Sequence, residues 1–162
     1  MDVINYRPIG IIYSPFKQPE GTPIQAIGGK GKKAEVEIFP EFVAGLQDLD
    51  GFSHIMLFYH CHLAQPYRLL VTPFLDDAKR GLFATRSPAR PNPIGFSIVR
   101  LIRVAHQMLH VEDIDIVDRT PLLDIKPLVP EFDSCEVDRI GWLEKRATRV
   151  KKIVDDGRFG SQ

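Results

Sequence analysis

The sequence predicts a mainly β protein, a small closed or semi-closed β-barrel with one or two short helices. Its 13 prolines are spread over all 162 residues, and an interior proline breaks or kinks a helix. The apolar segments between the prolines are short and rich in β-branched and aromatic residues, which is typical of strands. In the sequence AEVEIF at 34–39, apolar and acidic residues alternate, as in a strand with one buried face. The length suits a single domain over 1–162, with a barrel core at about 6–150.

Six segments have the strand pattern, and we predict a strand in each: 9–13, 34–39, 55–61, 69–74, 96–104 and 108–117. The last two strands flank residues 105–107, so the sequence predicts a β-hairpin with its turn there.

Two further segments predict short helices. Segment 40–49 begins with Pro40, a residue that favours the first turn of a helix. Its apolar face consists of Phe42, Val43, Leu46 and Leu49. Segment 138–150 begins with Asp138, which can cap a helix. Its apolar stripe consists of Ile140, Leu143, Ala147 and Val150.

Charge is balanced over the chain but segregated along it. Lysine plus arginine and aspartate plus glutamate each number 21, which excludes a globally basic, histone-like coat protein but not a local basic face. Residues 78–111 contain five arginines, one lysine and no acid, whereas residues 111–138 contain nine acids. Residues 139–152 contain six basic residues and one acid. Either these segments stay apart and form an anionic pocket and a cationic approach surface, or folding mixes their charges.

The sequence also bears on the compartment. It contains no apolar run of about 18 residues, and residues 1–15 lack the pattern of a signal peptide, so we expect a cytoplasmic protein with no membrane partner. The two cysteines, Cys61 and Cys135, cannot form a disulfide framework and lack the spacing of a zinc motif. A reducing compartment agrees with this usage.

Two motifs suggest that the protein binds a cofactor or a metal, and the residues around each motif bear on that interpretation. Residues 29–34, GKGKKA, fit the glycine pattern of dinucleotide-binding folds, but a strand rather than a helix follows them, so we predict an ordinary glycine-rich loop. His54, His60 and His62 would point the same way from one unbroken strand, and three imidazoles can hold zinc with one open position. A metal-dependent β-barrel enzyme is therefore one alternative, and hydrogen-bonded core histidines are the other.

The segment 81–95, GLFATRSPARPNPIG, combines three prolines with fixed polar donors. A stiff loop of this kind loses little conformational entropy on binding, and arginine suits carboxylate, phosphate or nucleobase edges. The acidic run at 112–127 follows the predicted hairpin. Clustered carboxylates bind ribose hydroxyls, attract a cationic ligand or act as bases. The structural alternatives are a crossover between strands for the first segment and a solvated acidic edge for the second.

Four segments together resemble one known family. They are SPF at 14–16, DGFSHIMLFYHCH at 50–62, FATRSPARPNPIG at 83–95 and the run 118–127 with its DIKP sequence. This combination is similar to the TsaA-like (YaeB-like) family, whose characterised members are S-adenosylmethionine-dependent tRNA methyltransferases of the TrmO type. The resemblance covers about residues 6–150. It implies a small β-barrel unlike the Rossmann-type methyltransferases, completed by a second subunit in a homodimer.

The resemblance also implies an activity and a set of cofactor contacts. The expected reaction methylates N6 of threonylcarbamoyl-adenosine beside the anticodon of a tRNA, with S-adenosyl-L-methionine as the cofactor. The expected cofactor contacts are Ile24, Gln25, Ala26, Cys61, His62, Arg86, Phe96, Glu112, Asp113, Ile114 and Asp115.

The substrate and catalytic expectations are fewer. We expect Arg90, Asn92 and Lys126 to contact the tRNA, together with the basic segment 145–152. Asp118 is the candidate general base, with Asp115 as the alternative. A module that binds S-adenosylmethionine or RNA without catalysis is a further alternative to the enzyme.

Two departures from the family pattern affect these expectations. Arg119 stands where family members commonly have glycine, so substrate contacts after Asp118 are expected to differ. Several bacterial relatives carry an additional C-terminal region, and we expect the barrel or the dimer to supply its contribution to tRNA affinity here.

Overall fold

The computed structural model describes residues 3–144, 146–148 and 153–157. Its centre is a closed barrel of six antiparallel strands, which confirms the predicted fold class. The strands of the described residues are β1 Gly10–Tyr13, β2 Lys33–Ile38, β3 His54–His60, β4 Leu70–Val71, β5 Arg80–Gly81, β6 Ile94–Ala105, β7 Met108–Glu112 and β8 Thr120–Pro127. The barrel order is β1-β2-β7-β6-β3-β8, and β8 pairs with β1 to close the sheet. Strands β4 and β5 form a separate two-stranded sheet.

Alternation along the strands fills the barrel. Every second residue points inward, so Val36, Leu57 and Val99 are completely buried while their neighbours reach the outer face. Isoleucine, leucine and valine dominate this core, as a small barrel requires for side chains to fill its interior. The predicted hairpin is confirmed, because His106 and Gln107 turn the chain between β6 and β7. His106 adopts a left-handed conformation (φ 56°) that suits such a tight turn.

The helical segments are short and mostly of the 3-10 type. They are Ala26–Gly29, Pro40–Leu46, Leu49–Gly51, Leu82–Ala84 and Gly141–Leu143, with one α-helical turn, α1, at Pro130–Asp133. The segment predicted at 40–49 is helical, and its apolar face packs against the barrel through Phe42, Leu46 and Leu49. The short helix predicted at 138–150 does not form as one continuous helix in the residues described there, since left-handed Gly141 (φ 57°) interrupts it and Gly141–Leu143 is a single 3-10 turn. Val150 lies outside the described residues.

Two strand predictions differ from the structure, and two strands of the described residues, β5 and β8, were not predicted. Segment 69–74 forms only the two-residue strand β4. Segment 108–117 ends as a strand at Glu112, because Asp113 adopts a left-handed conformation (φ 68°). Strand β8 was not predicted as a strand, although it closes the barrel against both β1 and β3. Its two prolines, Pro121 and Pro127, stand near its ends, where strands tolerate proline.

In the described ranges, no helix has the length and apolar composition to span a membrane.

Candidate functional site

A cavity of about 800 Å³ lies at one end of the barrel. The end of β3 and the beginnings of β6 and β8 meet there, because these neighbouring strands are antiparallel. The chain after β3, residues 61–64, and the start of β6, residues 94–96, form its floor and one wall. Loops 19–25 and 83–90 line other sides of the cavity. We call this cavity the main pocket; its volume is in the range of small-molecule sites.

The two loops are joined by a hydrogen bond between side chains. Arg86 Nη1 donates to Gln25 Oε1 at 2.5 Å, which links the proline-rich loop to the loop before β2. The loop before β2 in turn packs directly on the segment that follows β7. A Cβ atom at Gly29 would overlap the backbone carbonyl of Ile114, so only glycine permits this approach. The sequence therefore places Gln25, Arg86 and the segment of Ile114 and Asp115 together around the main pocket.

A hydrogen-bonded chain of three side chains lies between the barrel and the main pocket. Ser97 Oγ donates to Asp115 Oδ1 at 2.6 Å, and Tyr59 Oη lies 3.0 Å from the same Ser97 Oγ. A serine hydroxyl has only one proton, so Tyr59 must donate to Ser97 while Ser97 donates to Asp115. Tyr59 and Asp115 line the pocket, whereas Ser97 is buried. The Tyr59 ring lies over Gly95, where a Cβ atom would overlap it.

Burial raises the pKa values of three groups in this region, Asp115, Tyr59 and Cys61. Desolvation raises the pKa of Asp115 to about 6, against the lowering effects of the Ser97 hydrogen bond and the nearby Arg86 cation. Burial also raises the pKa of Tyr59, and the Asp115 carboxylate adds to this effect. The pKa of the Cys61 thiol is raised to about 11 for the same two reasons. Tyr59 and Cys61 are therefore neutral at pH 7, and Asp115 is the group that titrates near it.

Two further side chains of the proline-rich loop have distinct environments. Ser87 Oγ is buried in the pocket lining and has no hydrogen-bond partner within the described chain, so it is available to a polar ligand. Arg90 also lines the pocket, but its Nη1 donates to the backbone carbonyl of Thr85 at 3.0 Å. Its guanidinium also lies 5.6 Å from the centre of the Phe83 ring. Arg90 therefore stabilises the proline-rich loop through contacts within that loop.

The structure brings eight of the fifteen sequence-predicted site residues to the main pocket, among them seven of the eleven cofactor candidates. The cofactor candidates that line it are Ile24, Gln25, Cys61, His62, Arg86, Phe96 and Asp115, together with the substrate candidate Arg90. The candidates that do not line it are Ala26, Glu112, Asp113, Ile114, Asn92, Lys126 and Asp118.

The run 112–115 is divided by the way the chain turns. Ile114 is completely buried in the barrel core, so it cannot contact a ligand in the pocket. Asp113 Oδ1 accepts a hydrogen bond from the Gly31 amide at 2.7 Å and stabilises that loop. Glu112 pairs with Lys33, at 3.8 Å between Oε1 and Nζ, on the strand side of the turn. Asp115 alone of the four reaches the pocket wall.

The other candidates that fall outside the pocket are also explained by their positions. Ala26 begins the 3-10 helix that follows the pocket-lining Gln25. Asn92 is exposed on the loop just before β6. Lys126 lies on β8, where its Nζ is 2.7 Å from Asp124 Oδ2. Of the basic segment 145–152, residues 145 and 149–152 lie outside the described residues.

Asp118 lies in a second hollow, together with Lys17 and Arg119. Its Oδ1 accepts from the Ser14 amide at 2.9 Å, and its Oδ2 pairs with Lys17 Nζ at 2.7 Å. Partial burial raises the pKa of Asp118, but the hydrogen bonds from Lys17 and Ser14 outweigh it and leave the pKa below its ordinary value. Asp118 thus anchors the turn at 14–17. Arg119 adopts a left-handed conformation (φ 59°), a backbone region that glycine adopts without strain.

The three histidines do not form a metal site. His54 and His60 stand at opposite ends of β3, which separates them by about 20 Å, because a strand rises about 3.3 Å per residue. His62 lies in the pocket, 3.3 Å from Thr120 Oγ1, and desolvation lowers its pKa. No group of three metal-binding side chains occurs within the described ranges.

A C-terminal segment also contributes to the pocket, which the sequence did not predict. Trp142 lines it, and its Nε1 donates to the Ala84 carbonyl at 2.8 Å. Arg146 reaches back to Asp76, with 3.2 Å between Nη2 and Oδ1, and Asp76 also pairs with Arg80 at 2.6 Å. These ion pairs join the two basic segments through Asp76, an acid that lies outside the acidic segment 111–138.

Comparison with known proteins agrees with this geometry. Residues 11–134 match the family of tRNA-methyltransferase O N-terminal domains. The chain is 57% identical over 159 residues to a probable S-adenosyl-L-methionine-binding protein of Pyrococcus abyssi, covering 98% of this chain and 86% of that protein. It is 37% identical over 135 residues to the tRNA (adenine(37)-N6)-methyltransferase of Mus musculus, covering 79% of this chain but 31% of the mouse protein.

A solved structure gives the same result. The crystal structure of TrmO from Pseudomonas aeruginosa matches with a TM-score of 0.72 and 34% identity, over 87% of this chain and 63% of that chain. The fold and the main pocket define a closed β-barrel domain with a small-molecule site at one end. The chain belongs to the tRNA-methyltransferase O N-terminal domain family. The resemblance identified from the sequence is thereby confirmed.

Proposed function

We propose that this protein is an S-adenosylmethionine-dependent methyltransferase that methylates N6 of an adenine in tRNA. The proposal is carried by the main pocket, where loops 19–25 and 83–90 meet the end of the barrel in a chain of this family. Two kinds of relative support it: proteins described as binding S-adenosyl-L-methionine, and tRNA (adenine(37)-N6)-methyltransferases. The finer proposal is that the substrate adenosine carries a threonylcarbamoyl group and lies beside the anticodon.

The residues present fit the cofactor. The pocket combines apolar walls such as Phe96 with fixed polar groups, and its volume of about 800 Å³ accommodates a nucleoside with an amino-acid side arm. The unpartnered hydroxyl of Ser87 gives such a ligand a hydrogen-bond site. Arg86, held by Gln25, presents a guanidinium that suits the carboxylate of the amino-acid arm.

The chemistry is divided between cofactor and protein. When bound, S-adenosylmethionine supplies a methyl group on a positively charged sulfur, already activated for in-line transfer. The protein holds the acceptor nitrogen in line, and alignment of two reactants contributes about 7–11 kcal/mol in favourable cases. Apolar side chains such as Phe96 line the pocket, so a bound cofactor and base would displace water from the reacting groups. No covalent nucleophile is required of the protein, and the neutral Cys61 thiol agrees with this.

The target base must be accessible to such a pocket. A nucleotide of the anticodon loop is unpaired, so it enters the pocket without the loss of a base pair. Phosphate contacts make affinity depend on salt, and we expect binding of tRNA to weaken steeply between low and moderate salt.

A homodimer is part of the proposal. On the outer face of β6, Ile94, Phe96 and Ile98 form an apolar stripe, and Ile102 follows beyond Arg100; these four apolar residues are each between 38% and 48% exposed. Ile94 and Phe96 also line the main pocket. A second copy of the chain that covers this stripe would therefore extend the pocket wall as well as bury apolar surface.

Two measurements test the proposal. First, S-adenosylmethionine at about 100 times its dissociation constant stabilises the folded protein by about 2.7 kcal/mol, so the melting temperature should rise. Arg86→Ala should reduce this rise, whereas Arg68→Ala, which removes an exposed arginine outside the pocket lining, serves as the matched control. Second, transfer of labelled methyl groups is measured on tRNA with and without the threonylcarbamoyl group. Cofactor binding without transfer to either tRNA would instead support a binding module.

A further inference from the structure

Methylation of N6 leaves one question about the protein's own groups, namely where the N6 proton goes. The nitrogen exchanges a hydrogen for a methyl group, so a proton must leave during or after the transfer. The carbonyl attached to N6 in threonylcarbamoyl-adenosine makes this proton more acidic, and a weak base suffices to remove it. Within the described chain, Asp115 and Asp155 are the carboxylates that line the main pocket, and Asp115 is the one at the barrel end.

The surroundings of Asp115 favour a proton acceptor over a permanent anion. Asp115 Oδ1 accepts a hydrogen bond from Ser97 Oγ, and Ser97 Oγ accepts one from Tyr59 Oη. This chain of hydrogen bonds fixes Oδ1 of Asp115, a residue that lines the cavity. The elements packed against it contribute Tyr59 and Cys61 from the end of β3, Arg86 from the proline-rich loop and His62 beside the pocket.

We propose that Asp115 accepts the N6 proton of the substrate adenosine, with Ser97 and Tyr59 as the residues that position its carboxylate. A carboxylate oxygen takes the proton while the N6–methyl bond forms, and the electron pair of the N–H bond stays on N6. Sulfur keeps the electron pair of the broken carbon–sulfur bond, and the carboxyl group later releases the proton to water. This inference rests on the proposed function, because it assigns the base of that reaction.

The hydrogen bond from Ser97 determines the direction in which the pKa of Asp115 moves when Ser97 is replaced. Desolvation raises the pKa of Asp115 to about 6, and the hydrogen bond from Ser97 lowers it. Loss of that hydrogen bond therefore moves the titration of Asp115 to higher pH. A structural role of Ser97 alone, as a filler of the barrel end, would change stability without moving this titration.

The alternative carboxylate is a poorer acceptor. Asp118 lies outside the main pocket, and the hydrogen bonds from Lys17 and Ser14 keep the pKa of its carboxyl low. A carboxylate that is already paired with an ammonium group loses that pairing when it accepts a proton. The geometry therefore separates the two candidates that the sequence left open.

The test compares wild-type protein with Asp115→Asn, Ser97→Ala and, as a matched charge control, Asp50→Asn at an exposed position of Leu49–Gly51. Single-turnover methylation of threonylcarbamoyl-modified tRNA is measured as a function of pH with saturating S-adenosylmethionine. We expect the wild-type rate to rise through pH 6, where Asp115 becomes ionised. Asp115→Asn should lower the rate at neutral pH by at least about 100-fold and remove the inflection. Ser97→Ala should move the inflection to higher pH.

Two readouts do not depend on activity. The rise in melting temperature with S-adenosylmethionine should persist in Asp115→Asn, and the carboxyl carbon of Asp115 should titrate near pH 6 by NMR.

A wild-type protein that binds cofactor but methylates no tRNA contradicts the proposed function. A wild-type protein that methylates tRNA, with an unchanged rate and inflection in Asp115→Asn, overturns the inference alone. Loss of cofactor binding in Asp115→Asn also overturns it, since the carboxylate would then be a cofactor ligand.

Discussion

The Asp115 carboxylate should destabilise the folded protein at neutral pH, and Asp115→Asn should remove that cost. In the fold the pKa of Asp115 rises from 3.8 to about 6, because the group is desolvated at the barrel end. One pKa unit corresponds to about 1.36 kcal/mol, so the ionised form costs at most about 3 kcal/mol. Asparagine keeps an oxygen that can accept from Ser97 but carries no charge. We therefore expect the variant to be more stable than wild type at neutral pH.

The pKa shift also determines how the stability of the folded protein changes with pH. Between about pH 4 and pH 6 the folded state holds a proton on Asp115 that the unfolded state has lost, so stability falls as pH rises. Above that range both states are ionised, and the cost stays constant. Urea denaturation of wild type and Asp115→Asn across this range should show a stability difference that is small near pH 4 and grows up to about pH 6.

The control and the contradicting result follow directly. Asp50→Asn removes an exposed carboxylate and should leave the pH dependence of wild type intact. A variant at Asp115 that is equally stable or less stable than wild type at every pH would show that the carboxylate is well solvated or well paired, and the argument from desolvation would then be wrong.

Three further predictions concern the frame of the site. Gly95→Ala places a methyl group in the Tyr59 ring and should destabilise the fold by about 1–3 kcal/mol, measured by urea denaturation; an unchanged midpoint would mean that the ring moves freely. Asp76→Asn weakens the ion pair to Arg146, so limited proteolysis should cut the C-terminal segment faster than in wild type, and equal rates would contradict its docking role. Asp118→Asn should lower turnover less than Asp115→Asn in the same methylation assay, and the reverse order would restore Asp118 as the base.

The barrel was predictable because its signals are local. Alternation in β2 and the pair of strands around the turn at His106 and Gln107 depend only on neighbouring residues. Strand β8 was missed because its charged residues and two prolines resemble a loop, and only its pairing with β1 and β3 makes it a strand. Closure of a sheet is a long-range event that no sequence period records.

The site was predictable in part for a similar reason. The proline-rich loop and the end of β3 carry distinctive residues, and the structure places Arg86 and Cys61 in one pocket. The hydrogen-bonded chain was not predicted, because Ser97 and Tyr59 come from two strands whose register was unknown. One signal was present: a serine in line with the apolar inward residues Val99 and Leu101 of β6 must find a hydrogen-bond partner. That partner is Asp115, which the sequence had named without a reason to prefer it to Asp118.

The position of the pocket follows from the architecture. A closed barrel has no free strand edge, and its small interior is filled by side chains, so a ligand site must lie at an end, where strands give way to loops. At that end the strands are rigid and the loops supply the polar groups. Asp115 lies at this junction, close enough to the core to be desolvated and close enough to the loops to line the cavity. The same burial that lowers the stability of the fold at neutral pH gives the carboxylate an affinity for protons that suits a base. If the stability difference between wild type and Asp115→Asn levels off near pH 6, and the inflection of the methylation rate near pH 6 is lost in the variant, a single buried charge accounts for both.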